Sequence, residues 1–218
     1  DHCVLACYNG IIPHLCPQLP EAQKEGLKYG VKIPFVYANV LLKDGKAFSK
    51  LGANFYQCPQ DPFQWVSSAP DVAIGDYEPP RTPEDPMLMF MMGSTMEKPP
   101  AEGMHVRDVL RLARHKVYAT SFEDFERQIR KQLQSLLGQH GFNHETDIQA
   151  ITVNRIPHGY AYGYSGIHDP EWEKGKAPHE IGRQQFGRIS IANSDSEAKP
   201  LMNAATDAAW RAIQEQTD

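Results

Sequence analysis

Phe186-Gly187-Arg188-Ile189-Ser190-Ile191-Ala192-Asn193-Ser194-Asp195, followed by the run from Pro200 to Gln214, is the stretch on which the fold turns. It reads as a strand, a polar turn and a helix. Ile189 and Ile191 alternate with Arg188 and Ser190, the period of a strand with one buried face. Asn193-Ser194-Asp195-Ser196 supplies side chains able to cap a helix, and Pro200 suits a first helical turn because its missing N–H costs nothing there. Ala204, Ala205, Ala208, Ala209 and Ala212 let that helix lie close to a sheet. A helix N-terminus beside a strand end exposes backbone N–H groups and a partial positive charge, which suits a phosphate. The bland reading is a plain connection between two elements.

Outward from that stretch, the remaining elements are expected as follows. His2 to Cys7 reads as a short buried strand, and Glu21 to Tyr29 as a helix entered at Pro20 and stopped at Gly30. Val31 to Leu42 alternates as a strand broken by Lys43-Asp44-Gly45. Phe55 to Val72 holds one or two antiparallel strands. Asp76 to Pro86, with four prolines, is a loop. Met87 to Met92 is a buried strand, and Lys98 to Gly103 marks a boundary. Two helices follow, the first with Leu110, Ala113 and Val117 on its core face. The second carries Phe122, Phe125, Ile129, Leu133, Leu136 and Leu137 at steps of three and four, with Thr120 and Glu123 as a capping box and Gly138 or Gly141 as its end. Asp147 to Asn154 is a strand leading into His158-Gly159-Tyr160-Ala161-Tyr162-Gly163-Tyr164, where alternate tyrosines share one face of an extended segment. That ladder is either core packing or an aromatic wall able to hold a cation.

The balance of residue types narrows the classes of function. With 41% apolar residues, 22% charged and a net charge of −5, the chain is an ordinary folded piece with no basic patch for nucleic acid. Its longest apolar run, Met87 to Met92, is far short of the roughly 20 residues of a membrane helix. Cys3, Cys7, Cys16 and Cys58 form no C-x-x-C pair or zinc spacing and are expected as buried apolar residues; the histidines form no H-E-x-x-H. No leader segment opens the chain, and no G-x-G-x-x-G turn, the usual start of a dinucleotide fold, occurs in it.

Three stretches carry a resemblance. Gly187 to Asp195, Ile151-Thr152-Val153-Asn154-Arg155-Ile156-Pro157-His158-Gly159-Tyr160-Ala161-Tyr162, and the opening Cys3-Val4-Leu5-Ala6-Cys7-Tyr8-Asn9 with Ile12-Pro13, Leu19-Pro20 and Val31-Lys32-Ile33-Pro34 resemble the C-terminal region of bacterial FAD-dependent spermidine dehydrogenases, relatives of the flavin amine oxidases. The sequence departs from that pattern at Glu197 to Asn203, where related enzymes have small residues.

The resemblance implies an α/β fold: an α+β substrate domain with a mixed sheet over residues 31–147, and the completing segments of a Rossmann-like FAD domain at 1–30 and 148–218. It implies oxidation of an amine, a polyamine such as spermidine in the first place, by hydride transfer to flavin. FAD is the implied cofactor, with haem b in some relatives. Arg188, Asn193, Ser194 and Asp195 are the implied cofactor contacts. His158, Tyr160, Tyr162 and Tyr164 are the implied substrate contacts. The expected partner is a second chain, or a cleaved N-terminal portion, bearing the G-x-G-x-x-G turn. The expected compartment is the periplasm, with the cytoplasm as alternative. Two other readings stand beside it: a flavoprotein subunit of an electron-transfer complex acting on another substrate, and a non-catalytic scaffold retaining the fold.

Overall fold

The computed structural model describes residues 1–96 and 102–217. In chain order the elements are β1 (Cys3–Leu5), α1 (Ile12–Leu15), α2 (Glu21–Tyr29), β2 (Ile33–Leu42), α3 (Lys46–Ser49), β3 (Phe55–Gln57), β4 (Trp65–Ser68), β5 (Met87–Gly93), α4 (Val106–Ala119), α5 (Phe122–Leu137), β6 (Ile148–Tyr160), α6 (Pro178–Gly182), β7 (Ile189–Ile191) and α7 (Met202–Thr217). Single 3-10 turns stand at Asn9–Ile11, Gly138–His140 and Ser194–Glu197. Mixed helices and sheets make this an α/β fold, as the sequence implied. The boundary expected at Lys98 to Gly103 falls mostly outside the described residues. The chain divides into two compact units, one built from residues 1–33, 102–111 and 158–217, the other from 34–96 and 112–157. No helix among the described residues is long and apolar enough to cross a membrane.

The first unit is organised on β1 and β7, which pair in parallel with Cys3 opposite Ile189, Val4 opposite Ser190 and Leu5 opposite Ile191. β1 is not the buried strand expected, because Cys3 and Val4 are exposed. Of the four cysteines only Cys16 is buried, so the expected burial fails for Cys3, Cys7 and Cys58. β7 also departs from simple alternation: Ser190 is as buried as Ile191, and its hydroxyl finds no partner among the described residues. Ile191 packs with Ile12, Leu19 and Leu27, tying α1 and α2 to the sheet. Helix α2 runs over the expected residues, with Pro20 as its N-cap and Gly30 after it. It meets α6 backbone to backbone. A Cβ on Gly26 would lie 2.6 Å from the Pro178 carbonyl oxygen, so only glycine permits the approach. Gln23 then bridges the pair, its side-chain amide donating to the carbonyls of Gly182 and Gln184. Helix α7 presents Ala204, Ala208 and Ala212 inward, one residue per turn, and the last two meet Ala192.

The junction before α7 corrects the sequence reading. The helix begins at Met202, leaving Pro200 outside it, and the Asn193 turn feeds the separate 3-10 turn at Ser194–Glu197. Ala198 ends that turn in the left-handed region (φ 47°), which breaks the path into α7.

The second unit is a five-stranded sheet in the order β3-β4-β5-β2-β6. β5 is antiparallel to β2 and β4, and β3 to β4. Two periods meet in its core. Val36, Ala38, Val40 and Leu42 recur every second residue on β2, as do Met87, Met89 and Met91 on β5. They pack against Phe125, Ile129, Leu133 and Leu137, which recur every third or fourth residue on α5. Burial of each Val, Leu, Ile, Phe or Met side chain there is worth about 1.5 to 3 kcal/mol. Phe122 is exposed, and the helix is capped one residue later than expected: Ser121 accepts from the Asp124 N–H, in place of Thr120 with Glu123. Gly141 closes the following turn at φ 94°. Gln132 is a buried polar residue on the apolar face. Its amide satisfies both backbone groups of Phe63, accepting from the N–H at 3.1 Å and donating to the carbonyl at 2.7 Å. On the other sheet face, the Tyr37 ring lies 5.6 Å from Phe90 and 6.4 Å from Phe35.

Candidate functional site

Parallel pairing brings the ends of β1 and β7 to the same edge, and loops that leave the carboxyl ends of parallel strands are where α/β folds place ligands. The Ala192 N–H donates to the Leu5 carbonyl at 3.0 Å, extending the pairing up to the point of divergence. Beyond it, Cys7-Tyr8-Asn9 and Asn193-Ser194-Asp195 run side by side. The Asn193 side-chain amide donates to the Cys7 carbonyl and to Asn9 Oδ1, the latter at 2.9 Å. The Asn9 N–H donates to Asp195 Oδ2 at 3.3 Å. Lys32 Nζ stands 2.8 Å from Asp195 Oδ1 and 5.8 Å from the centre of the Tyr8 ring, and the His158 ring lies 5.2 Å from that ring. Three of the residues singled out in the sequence, His158, Asn193 and Asp195, therefore belong to one cluster, together with Tyr8, Asn9 and Lys32.

Its electrostatics are those of a largely desolvated, weakly screened ion pair. The side chains of Lys32 and Asp195 are only 14% and 7% exposed, so each charge depends on the other. The turn itself is not an open phosphate cradle: Asn193 Oδ1 already accepts from the Ser196 N–H at 2.9 Å and from the Ser196 hydroxyl at 3.1 Å. A carboxylate there would also repel a phosphate. Each carboxylate oxygen keeps acceptor capacity beyond its present partner, so the turn fits a hydroxyl-bearing chain such as the ribityl part of a flavin better than its pyrophosphate. Ser194 is half-buried beside it. Arg188 does not join the group. It is exposed at the opposite end of β7, where its carbonyl accepts from the Cys3 N–H.

The tyrosine ladder is divided. β6 ends at Tyr160, whose ring is 45% exposed, while Tyr162 is buried and Tyr164 half-buried; the shared face expected from alternation is lost where the strand stops. Tyr162 turns instead to Asp169, a buried carboxylate in the loop after it, and Tyr164 to His179. Asp169 accepts from the hydroxyls of Tyr29 and Tyr162, both at 2.8 Å, and from the Ser165 N–H at 2.9 Å. Burial works against its charge, but these donors and nearby His105 hold its carboxyl below the usual range. Burial first, and then the Asp169 bond, push the Tyr29 phenol up to about 12 and that of Tyr162 further. Tyr164 is pushed up to about 12 by burial and pairs with His179 Nδ1 at 3.0 Å; burial and then Arg183 push the His179 imidazole down. Between this group and the ion pair lies a cavity of about 10 Å³ lined by Asn9, Tyr162, Tyr164, His179 and Asp195. It has room for about one water molecule and none for a ring.

Lys32 and Asn9 were within quoted stretches but carried no chemical signal of their own, since their partner lies more than 160 residues away along the chain. Asp169 gave none, sitting in a polar loop. Among the described residues no three His, Cys, Asp or Glu side chains gather as a metal site.

No protein-family description matches the chain, and no characterised protein matches it in sequence. Solved structures do match in fold. Cyclohexylamine oxidase from Brevibacterium oxydans IH-35A superposes with a TM-score of 0.62 at 12% identity, over 100% of this chain and 43% of that one. A putrescine oxidase bound to putrescine superposes with a TM-score of 0.61 at 13% identity, again over 100% of this chain and 43% of the other. The chain thus spans less than half the length of these enzymes, and along its whole length it has an α/β fold similar to part of an amine oxidase.

Proposed function

We propose that this chain is the C-terminal portion of an FAD-dependent oxidoreductase that oxidises an amine, a polyamine such as spermidine in the first place. It would act with a second chain or cleaved N-terminal portion that carries the G-x-G-x-x-G turn. The observation that supports this most is the likeness of fold over the whole chain to two amine oxidases, with the buried Lys32 and Asp195 pair at the carboxyl ends of the parallel strands. In this reading residues 1–30 and 148–218 complete the flavin domain, and residues 31–147 form the substrate domain.

Flavin, when bound, supplies the acceptor for hydride from the carbon next to nitrogen. The protein's own residues bind and orient. Asn193 fixes the turn, Asp195 would accept from a flavin hydroxyl and Ser194 would donate to or accept from one, and Lys32 keeps the Asp195 charge compensated in a site shielded from water. His158 and the exposed Tyr160 would meet the amine, with the rings of Tyr162 and Tyr164 as its further contacts.

The test is an absorption spectrum of the native protein followed by anaerobic titration with spermidine, putrescine and cyclohexylamine. A flavin spectrum bleached by spermidine or putrescine is expected. Bleaching by cyclohexylamine alone would replace the polyamine with an apolar amine, and absence of flavin would overturn the proposal.

A further inference from the structure

We infer that the free edge of β1 and one flank of α7 together form a docking surface for a strand–turn–helix element of the second chain or portion, its strand lying parallel to β1 and its helix beside α7. The inference rests on the reading that this chain acts with such a portion, and all the residues it uses belong to the first unit.

The two edges of the β1–β7 pair differ. On β1 the pairing runs through Cys3 and Leu5: the Cys3 N–H donates to the Arg188 carbonyl at 2.9 Å, and the Leu5 carbonyl accepts from the Ala192 N–H at 3.0 Å. Alternate residues of a strand bond to opposite sides, so the N–H and carbonyl of Val4 point to the other edge. There they find no partner among the described residues; Val4 is 40% exposed, and Ala6 is exposed too. The outer edge of β7, by contrast, is closed by the chain itself. Ile189 exchanges both backbone bonds with Phe186, donating at 3.0 Å and accepting at 2.9 Å, and the Ile191 carbonyl accepts from the Arg211 side chain at 2.6 Å. An open edge is a template for another strand, and here it lies on β1.

Both faces of the pair already carry helices. Ile191 packs with Ile12 and Leu27 on the side of α1 and α2, while its neighbour Ala192 points the other way, to α7. That layering belongs to parallel sheets, and two strands alone are marginal. Helix α7 is unfinished on the same side. With 3.6 residues per turn, Ala204, Ala208 and Ala212 face the sheet and leave two unlike flanks. One carries Met202, Ala209 and Ile213, with the 69% exposed Trp210 beside them; the other carries Asn203, Asp207 and Gln214. Gln216, on the apolar flank, donates its side-chain amide to the Cys3 carbonyl at 3.0 Å, whereas Arg211, bordering the polar flank, reaches β7. The apolar flank therefore lies on the side of the open β1 edge. A strand added there in parallel ends beside Cys7 and Asn193, so the turn after it brings a helix N-terminus to the candidate site. Its backbone N–H groups would take the phosphate that Asp195 repels. A second copy related by a two-fold axis would present its β1 antiparallel and bring no such turn.

The experiment uses the native protein. Trp210→p-benzoylphenylalanine is photo-cross-linked and the joined peptide identified by mass spectrometry, and hydrogen–deuterium exchange is followed at the Val4 amide. The joined peptide is expected to come from a helix that directly follows a strand and a G-x-G-x-x-G turn, and the Val4 amide to exchange at least about a hundredfold more slowly than in a free peptide. Ile213→Lys should speed that exchange at least about tenfold, and Asp207→Lys, on the other flank, should leave it unchanged. A strand–helix peptide without the glycine turn would uphold the docking surface and remove the flavin reading instead. A cross-link to a second copy of residues 1–218, no joined peptide, or a Val4 amide that exchanges as fast as a free peptide overturns the inference.

Discussion

Replacing Asp169 by Ala strands three donors at once: the buried hydroxyl of Tyr162 and the part-buried Tyr29 hydroxyl and Ser165 N–H. A buried unsatisfied donor costs roughly 1 to 3 kcal/mol and a part-buried one less, so the loss should be about 3 kcal/mol. For a chain of this length that is a fall in melting temperature of about 6 to 12 °C. The pH dependence carries the sign. The carboxyl is held below its ordinary 3.8, so its contribution is complete above about that pH and is lost as pH falls through the lower folded value. The gap between wild type and variant should therefore be constant from neutrality down to about pH 4 and close below it. At the alkaline end, Tyr29 is raised from 10.0 to about 12, chiefly by burial and then by Asp169. Stability that rests on its neutral phenol is present below pH 10 and lost as pH rises toward 12, and in the variant this loss should begin earlier. Thermal melts by circular dichroism across the pH range, with phenolate absorbance followed in parallel, give both. A fall of less than about 2 °C at neutral pH, or a gap that persists unchanged in acid, would refute the reasoning.

Lys32→Met leaves Asp195 as an uncompensated, largely buried charge and should cost about 3 to 5 kcal/mol in urea unfolding, while adding Asp195→Asn to it should recover a large part of that loss. In the native complex, Asp195→Ala should reduce flavin content measured after gel filtration, because a flavin hydroxyl that met the carboxylate loses its partner; full flavin with only a lower melting temperature would restrict Asp195 to structure. Gln132→Leu removes both partners of the Phe63 backbone and should destabilise by about 2 to 6 kcal/mol with the denaturant slope unchanged, an effect that the same change at the exposed Lys131 of that helix would not show.

What the sequence by itself determined was whatever local periodicity and capping control. Helix α2 has the expected bounds because Pro20 and Gly30 are signals within the chain, and β2, β5 and α5 show their buried faces as periods of two and of three to four. The alanine stripe of α7 was legible for the same reason, as was the loop of prolines between β4 and β5. Where a local signal misled, tertiary context intervened: Pro200 stands outside α7 because Ala198 turns the chain left-handed before it, and β1 is exposed where, among the described residues, it pairs with β7 alone. The site belongs to the second class altogether. Asn193 and Asp195 were singled out as one turn, but their partners Cys7, Asn9 and Lys32 come from the other end of the chain. The same holds for Asp169, which joins Tyr29 to Tyr162 across 140 residues on one side and seven on the other. Hydrogen bonds and ion pairs over such separations leave no period to read, because they are fixed by parallel strand pairing and loop packing. Only the folded chain decides which carboxylate meets which cation.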